Sequence, residues 1–382
     1  NPPVGPLSDG MSNLVRDVSF GSVPHLGSGI VTSEARLLGW DVDLYPLNNL
    51  ENINWETFLD CYDRVLLSAI DRGVDEVKNT VRSNPKHQAK FVLGGQGVTS
   101  IATPISNDFP EAVIVSGRVG DTMEKILTDR EIGGISVSSE NAFAFENRSV
   151  NPSLNPDTTF RRDRTFLKSR IKPIELSTGC TQGCDFCPVA HERVNIKPAN
   201  IALEEMEMMG MRRGDIMLIV DHNLFNLPRG YLKEFFARVN QNDYLWAAEG
   251  TVMQIINYPE ILQVLSPNCV SLLVGLEDIK KGAEGSPAKA SLVENFPSVL
   301  ETLRENKLPV TWSMVFGLDN HTPDTFLEAA AFIQEHKIDV NCHLIQPRHG
   351  TEFREKLIQQ GRLVSDDSRQ RDGVHLTYEP FR

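Results

Sequence analysis

The chain has 382 residues, 40% of them hydrophobic, so it is long enough to bury the cores of two ordinary domains. Its 38 Lys and Arg residues stand against 51 Asp and Glu residues, and the net charge of −13, without a sustained basic run, argues against a nucleic-acid partner. No stretch reaches the roughly 18 to 20 apolar residues of a membrane span, and the first residues lack a signal-peptide pattern, which predicts a cytoplasmic protein.

The first 148 residues alternate short apolar runs with helical patterns, which is typical of a doubly wound, Rossmann-like α/β domain. The predicted strands are 41–45, 64–68, 91–93 and 112–115, and the predicted helices are 29–38, 74–83 and 121–128. Ser68 ends the second predicted strand, and Gly94 and Gly95 follow the third directly. Ligands of such sheets bind at the carboxyl edge, so these residues are candidates for a binding loop; a plain tight turn is the alternative.

A polar stretch at residues 149–165, rich in Asn, Pro, Ser, Thr and Arg, predicts a linker to a second domain at 166–382. Six further strand candidates follow, separated by helical patterns: 173–176, 216–220, 244–248, 270–274, 310–315 and 340–345. Six strands with helical crossovers favour an open, partial (β/α)6 barrel over a closed eight-stranded barrel. Functional residues of such sheets gather at the carboxyl ends of the strands.

Three of the six cysteines, Cys180, Cys184 and Cys187, follow the first predicted strand of the second domain within eight residues. Such clustering favours a metal site in a reducing compartment over disulfides. One loop can wrap three thiolates around a four-iron cubane, with its glycines allowing the tight path, and it leaves one iron open to an added ligand. The alternative is a zinc knot with His191 as fourth ligand, although zinc knots usually use two close cysteine pairs and no second pair exists here.

The Cys-x3-Cys-x2-Cys loop, with Phe186 before its last cysteine, resembles that of the radical S-adenosylmethionine (SAM) superfamily. The resemblance implies a [4Fe-4S] cluster on Cys180, Cys184 and Cys187, with SAM on the open iron and Phe186 beside the cofactor. It implies that these cysteines are both metal ligands and catalytic residues. It further implies that an external one-electron reductant such as flavodoxin or ferredoxin drives cleavage of SAM to methionine and a 5'-deoxyadenosyl radical, which takes hydrogen from a substrate.

Four later segments resemble motifs of the cobalamin-binding subgroup of this superfamily: 220–225, 275–278, 316–325 and 346–352. His222 replaces the second Asp that the subgroup usually has. The resemblance implies a SAM site at the strand ends, where carboxylates and polar side chains can bind the ribose hydroxyls or the amino group. The candidate contacts are Glu249, Glu277, Ser313 and Gln346. For each carboxylate, a helix-terminal acid or a surface salt bridge is the alternative role.

The first domain also resembles the cobalamin-binding module of the subgroup, in segments 1–3, 23–27, 39–42, 94–99 and 117–122. The resemblance implies a cobalamin near Ser68, Gly94 and Gly95. The chain departs from the pattern in two places. It lacks the Asp-x-His-x-x-Gly sequence that supplies a histidine to cobalt, and Arg118 and Val119 interrupt the acidic Gly-Glu-Gly-Glu motif. A module that keeps the fold without the cofactor is therefore the alternative.

Two radical reactions on a small-molecule substrate fit this resemblance. One is cobalamin-dependent C-methylation or ring remodelling at an unactivated carbon. The other is cobalamin-independent hydroxylation, isomerisation, dehydrogenation or cyclisation with an empty first domain. A non-catalytic iron–sulfur or zinc-binding module is the alternative from another class of protein. A methylthio-transferring enzyme acting on RNA is disfavoured, because the chain has no second cysteine trio and no basic RNA-binding module.

Overall fold

The computed structural model describes residues 31–32, 35–36, 38–43, 54–70, 73–117, 123–128, 136–138, 169–190, 192–279, 292–367 and 370–380. They belong to two compact units, one holding the described residues up to 138 together with 346–379, the other those from 169 to 345. Each unit contains a parallel sheet with helices between its strands, so the predicted α/β class is confirmed. The described residues form no closed barrel and no helix long and apolar enough to cross a bilayer. The domain limits at 148 and 166 stay a prediction.

The unit that contains the described residues up to 138 is built on four parallel strands in the order β1-β2-β3-β4. Its elements are α1 (Trp55–Asp60), β1 (Val65–Ser68), α2 (Val74–Ser83), β2 (Phe91–Gly94), α3 (Gln96–Thr99), α4 (Ala102–Asp108), β3 (Val113–Ser116), α5 (Met123–Thr128) and β4 (Ser136–Ser138). Phe91, Leu93 and Ile114 are fully buried in its core, as expected for inner strands of a parallel sheet covered by helices on both faces.

The sheet differs from the prediction in two places, the first predicted strand and the last observed strand. Residues 41–43 form no strand, and residues 44 and 45 of that predicted strand lie outside the described part of the chain. The carbonyl of Val42, which a strand partner would need, accepts a hydrogen bond from Arg36 Nη2 at 2.7 Å. Strand β4 was not predicted, because Ser-Val-Ser has a single apolar residue and no recognisable pattern.

The second unit contains all six predicted strands, with ends shifted by no more than three residues. Its elements are β5 (Ile171–Ile174), β6 (Ser177–Thr178), β7 (Asn195–Ile196), α6 (Ala199–Met208), β8 (Ile216–Ile219), α7 (Arg229–Gln241), β9 (Leu245–Gly250), α8 (Pro259–Leu265), β10 (Cys269–Glu277), α9 (Phe296–Glu305), β11 (Val310–Phe316), α10 (Pro323–His336) and β12 (Asp339–Leu344). The six long strands are parallel in the order β12-β11-β10-β9-β8-β5, while β6 and β7 form a small antiparallel pair. Helix α11 (Glu352–Gln359) follows in the segment 346–379.

Large aromatic side chains fix the helices of the second unit against its sheet. Trp246 of β9 is fully buried and donates from Nε1 to the carbonyl of Leu265 at 3.1 Å. The Phe296 ring lies 4.8 Å from the ring of Trp312 in β11. Helix α10 begins with a capping box, in which the Thr322 N–H donates to the Thr325 hydroxyl at 2.9 Å. These contacts hold the strand ends in defined positions, and the candidate site is built on those ends.

Candidate active site

The three predicted cluster ligands lie on the loop that joins β6 to β7, just after β5 ends. Cys180 and Cys184 are buried, and Cys187 is half-buried. The Cys187 N–H donates to the Cys184 carbonyl at 3.0 Å, which closes a tight turn between them. The Gln182 N–H donates to Cys180 Sγ at 3.4 Å. Backbone N–H groups aimed at sulfur are one of the means by which proteins tune iron–sulfur clusters.

Gly179 allows the two arms of this loop to approach each other. Its φ angle is +73°, a conformation that other residues seldom adopt. A Cβ atom at this position would stand 2.7 Å from the Glu192 carbonyl oxygen and would collide with the Arg193 backbone. The next residue, Cys180, donates its N–H to the same Glu192 carbonyl at 3.2 Å. Glycine is therefore required here by both space and backbone conformation.

The donor chemistry of the loop fits a [4Fe-4S] cluster. In the described ranges, no three His, Cys, Asp or Glu side chains lie close enough to hold one metal ion. In a cubane each thiolate binds a different iron, so the ligands stand farther apart than those of a single ion. Three thiolates on one short loop, two of them buried, supply the soft ligands that iron–sulfur clusters need. His191, the alternative zinc ligand, lies outside the described residues. The ligand assignment stays a prediction.

A network of asparagines ties this loop to the end of β8. Asn226 Nδ2 donates to the Gly179 carbonyl at 3.3 Å, and the Thr181 hydroxyl donates to Asn226 Oδ1 at 3.0 Å. Asn223 Nδ2 donates to Asn226 Oδ1 at 3.3 Å and to Gln254 Oε1 at 3.1 Å. The resemblance of segment 220–225 drew attention to this region, but no sequence signal indicated that its asparagines support the cysteine loop.

Asn223 also joins the ends of β8 and β9. Its Oδ1 atom accepts from the N–H of Phe225 at 3.2 Å and from the N–H of Thr251 at 3.0 Å. Beside it, a Cβ atom on Gly250 would stand 2.7 Å from the Phe225 ring, so glycine is needed for this close packing. The strand ends that face the cysteine loop are therefore held by buried polar contacts as well as by apolar packing.

Asp221 holds the start of the cysteine loop. This buried carboxylate accepts from the Leu176 N–H at 2.7 Å and from the Ser177 hydroxyl at 2.6 Å. Burial raises the pKa of Asp221 from 3.8 to about 7, and the two hydrogen bonds oppose that shift only in part. Asp221 therefore links β8 to the segment that leads into Cys180.

The sheet brings three of the four predicted SAM contacts to neighbouring strands, with Glu249 and Glu277 at the strand ends and Ser313 three residues before the end of β11. Glu249 pairs with Leu273 in the register of β9 and β10, and Ser313 pairs with Gly275 in the register of β10 and β11. Glu277 ends β10, Glu249 is exposed, and Ser313 is buried. Because parallel strands share one carboxyl edge, these side chains belong to one region.

Gln346 is placed differently from the other three. It belongs to the unit that contains residues 346–379, and its Nε2 atom donates to the His375 carbonyl at 3.1 Å. The contact is local to the segment that follows β12. Its predicted role in SAM binding stays a prediction, as does that of Phe186, whose side chain is half-buried in the cysteine loop.

Ser68, Gly94 and Gly95 meet at the carboxyl edge of the other unit's sheet. Gly95 has a φ angle of +92°, and a Cβ atom there would stand 2.8 Å from Ser68 Oγ. The Ala69 N–H donates to the Gly94 carbonyl at 3.0 Å, which extends the pairing of β1 with β2 to the turn. The turn alone accounts for glycine at position 95. Ser68 is exposed and both glycines are half-buried, so these three residues place no large side chain over this edge.

Residues 174–333 match the Radical SAM superfamily. The solved structure of TsrM from Kitasatospora setae, a radical S-adenosylmethionine methyltransferase with cobalamin and a [4Fe-4S] cluster bound, is 15% identical and has a TM-score of 0.66, over 88% of this chain and 75% of its own. The cobalamin-dependent S-adenosylmethionine radical enzyme OxsB, with aqua-cobalamin and S-adenosylmethionine bound, is 12% identical with a TM-score of 0.64, over 94% of this chain and 62% of its own. At these identities the likeness shows a shared fold. No curated protein matches the sequence.

Proposed function

We propose that this chain, in which residues 174–333 match the Radical SAM superfamily, is a radical SAM enzyme that modifies an unactivated carbon of a small-molecule substrate. The observation that carries the proposal is the loop with Cys180, Cys184 and Cys187 at the carboxyl edge of a six-stranded parallel sheet. When bound to this loop, the [4Fe-4S] cluster supplies the electron that cleaves SAM to methionine and a 5'-deoxyadenosyl radical. An external one-electron reductant of the flavodoxin or ferredoxin type would provide that electron.

The residues of this chain would hold and orient the reactants. The three cysteines bind the cluster, and Asp221, Asn223 and Asn226 fix their loop through the hydrogen bonds described above. Glu249, Glu277 and Ser313 accept hydrogen bonds from the ribose hydroxyls and the amino group of SAM. The buried aromatic side chains behind the strands hold these groups at fixed positions, which a reaction through a free radical requires.

We further propose that the unit that contains β1 to β4 binds cobalamin and that the reaction is C-methylation or ring remodelling. The support is the fold shared with TsrM and OxsB, whose structures hold cobalamin, and the edge of small residues at Ser68, Gly94 and Gly95. Bound there, cobalamin would supply a carrier for the transferred methyl group. The second candidate is cobalamin-independent hydroxylation, isomerisation, dehydrogenation or cyclisation, favoured by the absence of the Asp-x-His-x-x-Gly sequence.

The radical function is tested by assembling the cluster anaerobically, adding SAM and a chemical reductant, and measuring 5'-deoxyadenosine by chromatography. We expect 5'-deoxyadenosine to accumulate only when both SAM and reductant are present. If none forms in a protein that carries a full cluster, the proposal is wrong and the chain is a non-catalytic iron–sulfur module.

Cobalamin binding is tested separately, so that either result leaves the radical assay unchanged. The protein is incubated with hydroxocobalamin, passed through a desalting column, and its ultraviolet-visible spectrum is recorded. We expect one corrinoid per chain to be retained. A spectrum without corrinoid absorbance, from a protein that does form 5'-deoxyadenosine, would reject cobalamin and favour the cobalamin-independent reaction.

A further inference from the structure

We infer that Asp278 and His321 are positioning residues that hold Glu277 in the conformation needed to bind SAM. The inference rests on the proposed role of Glu277 and goes beyond it, because it assigns the support of that carboxylate to a buried pair.

Glu277 has an unusual backbone at the end of β10. Its φ angle is +64°, in the left-handed region that favours glycine. The register between β10 and β11 shifts between Gly275 and Glu277, so the strand ends in a bulge. A Cβ atom on Gly275 would stand 2.6 Å from Glu277 Oε1, which shows that the carboxylate folds back over Gly275. A glutamate keeps such a conformation only where its surroundings enforce it.

The residue that follows Glu277 is held by two side chains from the turn between β11 and α10. Asp278 is buried, and its Oδ2 atom accepts from Asn320 Nδ2 at 3.1 Å. The same oxygen lies 3.3 Å from Nε2 of His321, with 1% of the Asp278 side chain and 4% of the His321 side chain exposed. At this distance the two atoms are close, but Nε2 is not aligned with the oxygen as in a hydrogen bond. In a buried site of low dielectric constant, a polar contact of this kind is stronger than on a surface.

The backbone of the turn sets the orientation of the His321 ring. The Gly317 N–H donates to Nδ1 at 3.2 Å, so Nδ1 is the acceptor of the ring and Nε2 is its N–H, facing Asp278. The His321 N–H donates to the Leu318 carbonyl at 2.9 Å, and Thr322 caps α10 directly afterwards. A rigid helix start therefore fixes His321, which fixes Asp278, and Asp278 fixes the adjacent Glu277.

This arrangement also explains two features of the sequence. Segment 275–278 resembles the subgroup's Gly-Leu-Glu-Ser element but ends in Asp278, and segment 316–325 contains His321 in its turn. An acidic residue at 278 would be costly to bury without a partner, and His321 and Asn320 are the partners on the facing turn.

The test measures SAM affinity in cluster-loaded protein by anaerobic equilibrium dialysis, together with iron content and the rate of 5'-deoxyadenosine formation at saturating SAM. We expect His321→Ala to raise the Kd for SAM about tenfold, the size expected when one left-handed residue relaxes. Iron content and the saturated rate should stay within about twofold of wild type. His321→Gln, which places a donor near the position of Nε2, should recover most of the affinity. His87→Ala, which removes a ring 3.1 Å from Asp60 in the other unit, should leave the Kd for SAM unchanged.

A double-mutant cycle separates positioning from general stability. If His321 acts through Glu277, the double variant His321→Ala/Glu277→Gln should bind SAM no more weakly than Glu277→Gln alone. Additive losses, an unchanged Kd in His321→Ala, or loss of iron in parallel with SAM affinity would overturn the inference. If His321→Ala does not fold, Asp278→Asn takes its place in the same cycle. Wild-type protein that binds SAM and forms 5'-deoxyadenosine while the cycle is additive would reject the inference and leave the proposed function standing.

Discussion

Cys184 and Cys61 occupy different surroundings. Cys184 is buried in the loop between β6 and β7, whereas Cys61 is exposed at the end of α1. We expect Cys184→Ala to lose bound iron, the charge-transfer absorbance of the cluster and at least about a hundredfold of 5'-deoxyadenosine formation, because an incomplete ligand set releases the cluster. Cys61→Ala should keep all three. Cluster absorbance that survives in the Cys184 variant would contradict the ligand assignment.

Asp221 should make the stability of its unit depend on pH. Burial raises the pKa of its carboxyl from 3.8 to about 7, so the folded state holds a proton that the unfolded state has lost between these values. Its contribution to the free energy of unfolding is therefore present below about pH 4 and falls as the pH rises towards 7. Asp221→Asn keeps similar hydrogen-bonding groups without the charge, so the variant should lose less stability than wild type over this range.

The measurement is urea denaturation at several pH values, followed by the fluorescence of the buried Trp246 and Trp312, which lie in the same unit as Asp221. Asp41→Asn, which removes an exposed carboxyl from the other unit, is the control and should follow the wild-type curve. Equal pH dependence in the wild type and Asp221→Asn would show that this carboxyl is ionised throughout.

At the scale of elements, the cysteine loop depends on the shape of its first residue. Gly179→Ala places a methyl group against the Glu192 and Arg193 backbone and forces alanine into a left-handed conformation. We expect the variant to bind less than about half the iron of wild type and to lose roughly 2 kcal/mol or more of stability. Gly230→Ala is the matched control, because its Cβ atom meets open space in α7 and should change stability by no more than about 1 kcal/mol. Normal iron content in Gly179→Ala would show that the loop adapts.

The strands of the second unit could be predicted because their sequences are locally consistent. Val310–Phe316 is a run of mostly apolar residues that is buried along most of its length, and it was predicted to within one residue. Ser136–Ser138 lacks such a run and was missed, and at 41–43 the Arg36 side chain takes the carbonyl that a strand would have used. Local pattern fails where one side chain competes with the backbone for a hydrogen bond.

The cysteine loop could be identified for the same reason, since its three cysteines lie within eight residues of the sequence. The supporting contacts could not. Asn226 and Gly179 are 47 positions apart, and Asn320 and Asp278 are 42 apart, so their contact depends on which strands are neighbours and on the register between them. Neither the composition nor the period of a segment contains that information.

At the scale of the whole molecule, the fold that this chain shares with solved structures does not identify its substrate. The shared fold extends over 88% of this chain for TsrM and 94% for OxsB, at 15% and 12% identity. A fold can stay recognisable at such low sequence identity while the residues that contact the substrate change completely. The substrate of this chain must therefore be sought from its own strand ends rather than from those of its structural neighbours.

Binding of SAM should stabilise the unit that contains residues 174–333. A ligand at a hundred times its Kd adds about 2.7 kcal/mol to the free energy of unfolding of the domain that binds it. We expect differential scanning calorimetry of cluster-loaded protein to show an upward shift of several degrees in one transition when SAM is added. The same concentration of SAM should leave Cys184→Ala unchanged. An equal shift in both proteins would mean that SAM binds away from the cysteine loop.

The left-handed Glu277 has a consequence for how this protein would respond to laboratory evolution. A glutamate at a φ of +64° costs the folded state roughly 1 to 2 kcal/mol that glycine or asparagine would not cost. A library screened only for thermal stability should therefore enrich these two residues at position 277, and the selected variants should be more stable but inactive. Higher folding stability would thus come with lower enzymatic activity, because both depend on the φ angle of one residue.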